Sequence, residues 1–133
     1  MKAPMLLALA ALSISTARAA EPTGTLTLAC QGTVTDNIKP DAKPEPISMG
    51  IVLNFTARTV KGFPHIGEAE ITLMDDVTIV FVASYHGHAE WGFDGTIDRV
   101  TGDLEAHSIL MVETGNSRIV SYSLKCKPTQ RMF

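Results

Sequence analysis

The sequence predicts an all-β domain: a single antiparallel meander of about eight strands, closed or nearly closed into a barrel, with a β-sandwich as the alternative. Three observations predict it. Apolar and polar residues alternate over several segments, so that every second side chain shares a face. Turn-forming pairs such as Asp75-Asp76 and Thr101-Gly102 separate those segments. The two cysteines, Cys30 and Cys126, stand in the first and last alternating segments, each on the apolar parity. No segment beyond residue 20 sustains the helical period of about 3.6 residues.

Residues 1–19 read as a secretory signal peptide. Lys2 supplies the basic start, Ala3 to Ile14 the short apolar stretch, and Ala17-Arg18-Ala19 the small residues before a cut after Ala19. The apolar stretch falls short of the roughly 20 residues a membrane-crossing helix needs. Residues 20–133 then form one antiparallel β domain, and its 114 residues suit a single core. Without Lys2 and Arg18 the formal charge moves from −3 to −5. That balance argues against a nucleic-acid partner and against docking on an anionic membrane, both of which need clustered Lys and Arg. No later segment could span a membrane as a helix. The expected location is periplasmic or secreted, where a lone pair of cysteines closes into a Cys30–Cys126 disulfide.

The strands follow in order. Leu26, Leu28, Cys30 and Val34 alternate with Thr25, Thr27, Gln31, Thr33 and Thr35. Met49, Ile51, Leu53 and Phe55 repeat the pattern, with Val52 as the exception. Residues 68–74 and 77–84 flank Asp75-Asp76, and the second of them is apolar enough for a central strand. Residues 92–98 and 103–110 flank a turn at 99–102, in which Gly102 is free to take a left-handed conformation. Residues 58–62 echo that turn. Val120, Tyr122, Leu124 and Cys126 form the apolar row of the last strand. Between the first two strands, residues 36–46 carry three prolines and alternating charge, and predict an extended, solvated loop.

Candidate chemistry is sparse. His86-Gly87-His88 with Glu90 puts two imidazoles and a carboxylate on one side of an extended chain, with His65 in another Gly/Pro-rich turn. That set predicts zinc or copper as the alternative to no cofactor at all. Asp94, Asp98, Asp103 and Glu105 cluster around one hairpin, but on the parity opposite the core, so burial has no means to split their pKa values into an acid and a base. His107 and Arg99 stand close enough in sequence to neutralise them. No serine has the Gly-flanked setting of a nucleophile elbow, and no phosphate-cradling loop or dinucleotide fingerprint is present. No catalytic or cofactor-binding residue is therefore assigned. Trp91, Phe93, Phe81, Phe55 and Tyr122 are the large inward aromatics, able either to fill the interior or to line a cavity.

Four stretches together resemble a group of small uncharacterised exported proteins of rhizobia-like alphaproteobacteria: LTLACQGT, KPEPISMGIVLNFTARTVKGF, GTIDRVTGDLEA and SYSLKCKPTQRMF. The resemblance covers most of residues 20–133 and implies export without implying an activity. In size, and in a cysteine near each end of that span, the chain also resembles the membrane-bound type of lysozyme inhibitor; that family's inhibitory loops have no counterpart here. The resulting expectation is a non-catalytic periplasmic protein that binds a small molecule or another envelope protein. A metal-binding protein built on the His86/His88 turn, or a lysozyme-inhibitor-like envelope protein, is the alternative.

Overall fold

A sheet with one apolar face can hide that face, and both its edges, by closing on itself. The computed structural model, described here for residues 22–85, 90–111 and 115–129, does so. Eight strands form: β1 (Thr25–Asp36), β2 (Glu45–Asn54), β3 (Thr59–Lys61), β4 (Glu68–Met74), β5 (Thr78–Tyr85), β6 (Glu90–Asp98), β7 (Asp103–Met111) and β8 (Ser117–Thr129). Each pairs antiparallel with its sequence neighbours, and β8 returns to β1, giving a closed eight-stranded meander barrel. The barrel thus replaces the sandwich alternative. The described residues contain no helix. The proposed signal segment, residues 1–19, lies outside them.

The alternating rows fill the interior. Leu28 and Cys30 from β1, Ile51 and Leu53 from β2, Phe81 from β5 and Leu104 from β7 are all buried in one core. Val52, the exception to its strand's alternation, faces outward between Thr27 and Lys61. Cys30 and Cys126 are direct register partners where β8 meets β1, and their disulfide closes the barrel seam across 96 residues of chain.

At one end, the base, each turn opens on an Asn or Asp side chain that caps it. The Oδ1 of Asn54 accepts from the Ala57 amide, that of Asp75 from the Val77 and Thr78 amides, and that of Asp98 from the Val100 and Thr101 amides. These are Asx turns, in which the side chain substitutes for a backbone acceptor. The amides hold the Asp75 and Asp98 carboxyls below the usual aspartate range. Gly102 takes the left-handed conformation expected of it, with φ 80°. Its carbonyl accepts from the Cys126 amide at 2.8 Å, which ties the turn to the disulfide.

Two sequence expectations need adjustment. Residues 58–62 do not form a turn: Thr59–Lys61 is strand β3, and the turn falls at 55–58. The Pro-rich loop is shorter than 36–46. Asp36 closes β1 opposite Val120, while Glu45 and Pro46 open β2 opposite Val34 and Thr33, leaving 37–44 as the connection. Pro46 is tolerated because it stands near the start of its strand.

The other end, the mouth, is less regular because β3 has only three residues. Above the rung that joins Lys61 to Glu68, β2 and β5 have no strand between them. The loop 62–67 closes the gap by turning inward. Gly62, at φ 128°, allows this, since a Cβ there would lie 2.3 Å from the Gly50 carbonyl oxygen. Phe63 follows into the core, its ring centroid 4.8 Å from Phe93, 5.3 Å from Tyr122 and 5.7 Å from Phe81. This four-ring cluster is the floor beneath the mouth.

A candidate ligand cleft at the barrel mouth

Above Phe63 the inward rows change character. On β1 the row that begins with Leu26 and Leu28 passes Val34 and ends at Asp36. On β8 the row of Leu124 and Tyr122 continues through Val120 to Arg118. On β2 it opens with Glu45 before Ile47, and on β7 it runs from Ala106 to Ser108 and Leu110. These side chains surround a cleft of about 540 Å³. Val34, Ile47, Ile66, Trp91, Leu110 and Val120 give it apolar walls, and Asp36, Lys39, Glu45, His65, Ser108, Arg118 and Tyr122 supply its polar groups. Tyr85 stacks on Trp91 at 6.4 Å and so braces the indole at the rim.

The centre of the polar set is an ion pair. Asp36 is only 9% exposed, and a carboxylate so enclosed needs partners. Arg118 donates from Nη2 to Oδ2 at 2.6 Å and from Nε to both oxygens at 3.2 and 3.3 Å, and the Ile38 amide adds a bond at 3.3 Å. The guanidinium holds the Asp36 carboxyl below the ordinary aspartate range, and Asp36 in turn raises Arg118. Asn37 fixes the strand that carries the arginine. Its Oδ1 accepts from the Ile119 amide at 2.8 Å and its Nδ2 donates to the Ser117 carbonyl at 3.0 Å, extending the β1–β8 pairing by a side chain. Burial raises the Tyr122 hydroxyl above its usual value. At the rim, Lys39 bridges both oxygens of Glu45 at 3.0 and 3.1 Å.

Of the residues singled out for metal binding, His65 lines the cleft, whereas Glu90 faces a separate concavity on the outer wall. His86 and His88 lie outside the described residues. Among the described residues, no three His, Cys, Asp or Glu side chains converge as a metal site would require. Asp98 caps its turn, and Asp103 and Glu105 are also bonded, by partners other than His107 and Arg99; Asp94 stands opposite His107 in register. Asp103 accepts from Lys125 at 2.8 Å and Glu105 from the Ser123 hydroxyl at 2.7 Å, while Arg99 donates to the Asp75 carbonyl and His107 meets Ser121. Sequence reasoning missed Asp36 and Arg118, although the signal was there: each continues the inward parity of its strand. It also missed Phe63, which no alternation announces.

Fold and cleft together define a disulfide-closed, eight-stranded antiparallel barrel with a concave mouth. In comparisons with known proteins, no family model, no curated protein and no solved structure matches the chain. Among the described residues no helix is long and apolar enough to cross a membrane.

Proposed function

We propose that this protein is an exported, non-catalytic barrel that binds a small ligand in its mouth. The observation that carries the reading is the cleft itself. It is concave, apolar along its walls, furnished with a few fixed polar groups, and within the roughly 300–1,000 Å³ range of small-molecule sites. The disulfide accords with an oxidising compartment. Trp91 is the single tryptophan of the chain and lines the cleft, so its emission reports directly on occupancy. Titration with a panel of small amphipathic compounds is expected to shift that emission and raise the melting temperature. Val120→Phe, which narrows the cleft, is expected to abolish both. Compounds that bind the wild type and the Val120→Phe variant equally would place binding elsewhere and overturn the reading.

A second reading, an envelope-protein partner, draws on the outer wall. Ile109 and Ile119 are opposed in register there and 39% and 37% exposed, with Met111 beside them at 54%. Ile109→Lys with Ile119→Lys separates the two. Cleft binding should survive that change, whereas co-sedimentation with isolated envelope fractions would be lost only if the wall is the binding surface.

A further inference from the structure

Both carboxylates of the cleft are already paired with a cation, while donors beside them remain unused. A carboxylate offers about four lone-pair positions. Asp36 already receives four hydrogen bonds, three from Arg118 and one from the Ile38 amide. Lys39 donates to both oxygens of Glu45 and neutralises its charge. The donors are differently placed. Asp36 occupies the Nε–Nη2 side of the guanidinium, and the Nη1–Nη2 end donates to no partner among the described residues. That end is a two-pronged fork matched to a carboxylate. The Ser108 and Tyr122 hydroxyls line the same cleft, make no hydrogen bond among the described residues, and are not sealed from it. Arg118 is itself 46% exposed, so the fork is within reach of an incoming molecule.

From this we infer that the ligand is a small organic carboxylate with an apolar body. Its carboxylate meets the end-on edge of Arg118, and its body lies along Val120, Leu110, Ile47 and Trp91. The inference rests on the cleft reading above and narrows it. Asp36 acts as a positioning residue: it fixes the guanidinium plane so that the free edge is presented in one orientation. A cationic ligand meets carboxylates that Arg118 and Lys39 already neutralise, and a neutral one leaves the fork unused.

Three ten-carbon probes on the mature protein decide the matter: decanoate, decan-1-ol and decylammonium. Each is titrated by calorimetry and by Trp91 emission at neutral pH. Decanoate is expected to bind at least about tenfold tighter than the alcohol, as a charge-assisted hydrogen-bond pair implies, and decylammonium more weakly than either. Rising salt should narrow the gap. Arg118→Gln combined with Asp36→Asn keeps a neutral hydrogen-bonding pair, so the chain remains folded, as its melting curve will verify. In that variant decanoate should fall to the affinity of the alcohol while the alcohol is unchanged. Equal binding of all three probes, tightest binding of decylammonium, or decanoate binding indifferent to the double substitution overturns the carboxylate assignment and leaves the cleft standing. If no probe binds and Trp91 does not respond, both the assignment and the cleft reading fall.

Discussion

The base and the mouth of this barrel are made from the same alternating strands, yet one is solid and the other hollow. At the base the inward rows stay apolar down to the turns: Leu53, Ile79, Ile97 and Leu104 are each 4% exposed or less. Every turn there is locked by its own Asn or Asp. At the mouth the rows carry Asp36, Glu45, Ser108 and Arg118, and the wall lacks a full-length β3. An eight-stranded barrel is just wide enough for its own side chains to fill, or to hold one small ligand. Two conditions favour the second outcome here: a shortened strand, so that the wall opens, and polar inward residues that water can reach. The mouth meets both conditions and the base neither.

This contrast can be broken at several points. The largest effect is expected at the seam, where Cys30→Ala with Cys126→Ala releases a 96-residue loop and should cost about 4–5 kcal/mol in urea denaturation. Next is Phe81→Ala in the floor, a fully buried ring whose loss should cost about 3–5 kcal/mol. Leu110→Ala in the cleft should cost only about 1 kcal/mol, because one side of that residue already faces open space. Similar costs for the two would mean that the mouth is packed like the base. Gly32→Ala should cost about 3 kcal/mol, since a Cβ there lies 2.0 Å from the Ser123 carbonyl oxygen, whereas Gly50→Ala and Gly92→Ala meet nothing within 4 Å and should stay within about 0.5 kcal/mol. Arg118→Ala leaves Asp36 enclosed without its partner. A loss of about 1–2 kcal/mol is expected, moderated by the arginine's own exposure.

The smallest effect is on acid stability. Asp36 at the mouth and Asp75, Asp98 and Asp103 at the base all have carboxyls lowered from the ordinary value of 3.8. A lowered carboxyl adds stability that is complete above the unfolded value and disappears as pH falls through the folded one. Asp36→Asn and Asp98→Asn should each flatten the acid limb of a stability–pH curve below about pH 4. Only the Asp36 change should also alter occupancy of the cleft. An acid limb unchanged by Asp36→Asn would remove the ion pair from the description of the mouth.

Much of the fold was legible because alternation is a local property. The β1, β2 and β8 rows, and the meeting of Cys30 with Cys126, follow from parity, and the β4–β5 and β6–β7 hairpins from turn chemistry. Reading the candidate site went less far for a specific reason. Asp36 opens the Pro-rich stretch, where charge and proline dominate the residues after it, and Arg118 precedes the apolar row that begins at Val120. Parity places both on the inward rows, but parity alone does not bring them together. Thr35 pairs with Ser121 and Asp36 with Val120, so Arg118 reaches Asp36 only diagonally, through the closure of β8 on β1. The inward turn of Phe63 is harder still to read, since it depends on the shortness of β3 and on the approach of Gly62 to Gly50.

By itself the sequence determined that this chain builds a one-faced antiparallel sheet whose first and last strands carry paired sulfurs, because side chains two apart on an extended backbone must share a face. Tertiary structure alone decided that the sheet closes with a gap at one end, that an aromatic loop floors the mouth, and that a buried aspartate holds an arginine in the cleft. Those outcomes depend on which strands become neighbours and how far each extends, and no local period encodes either.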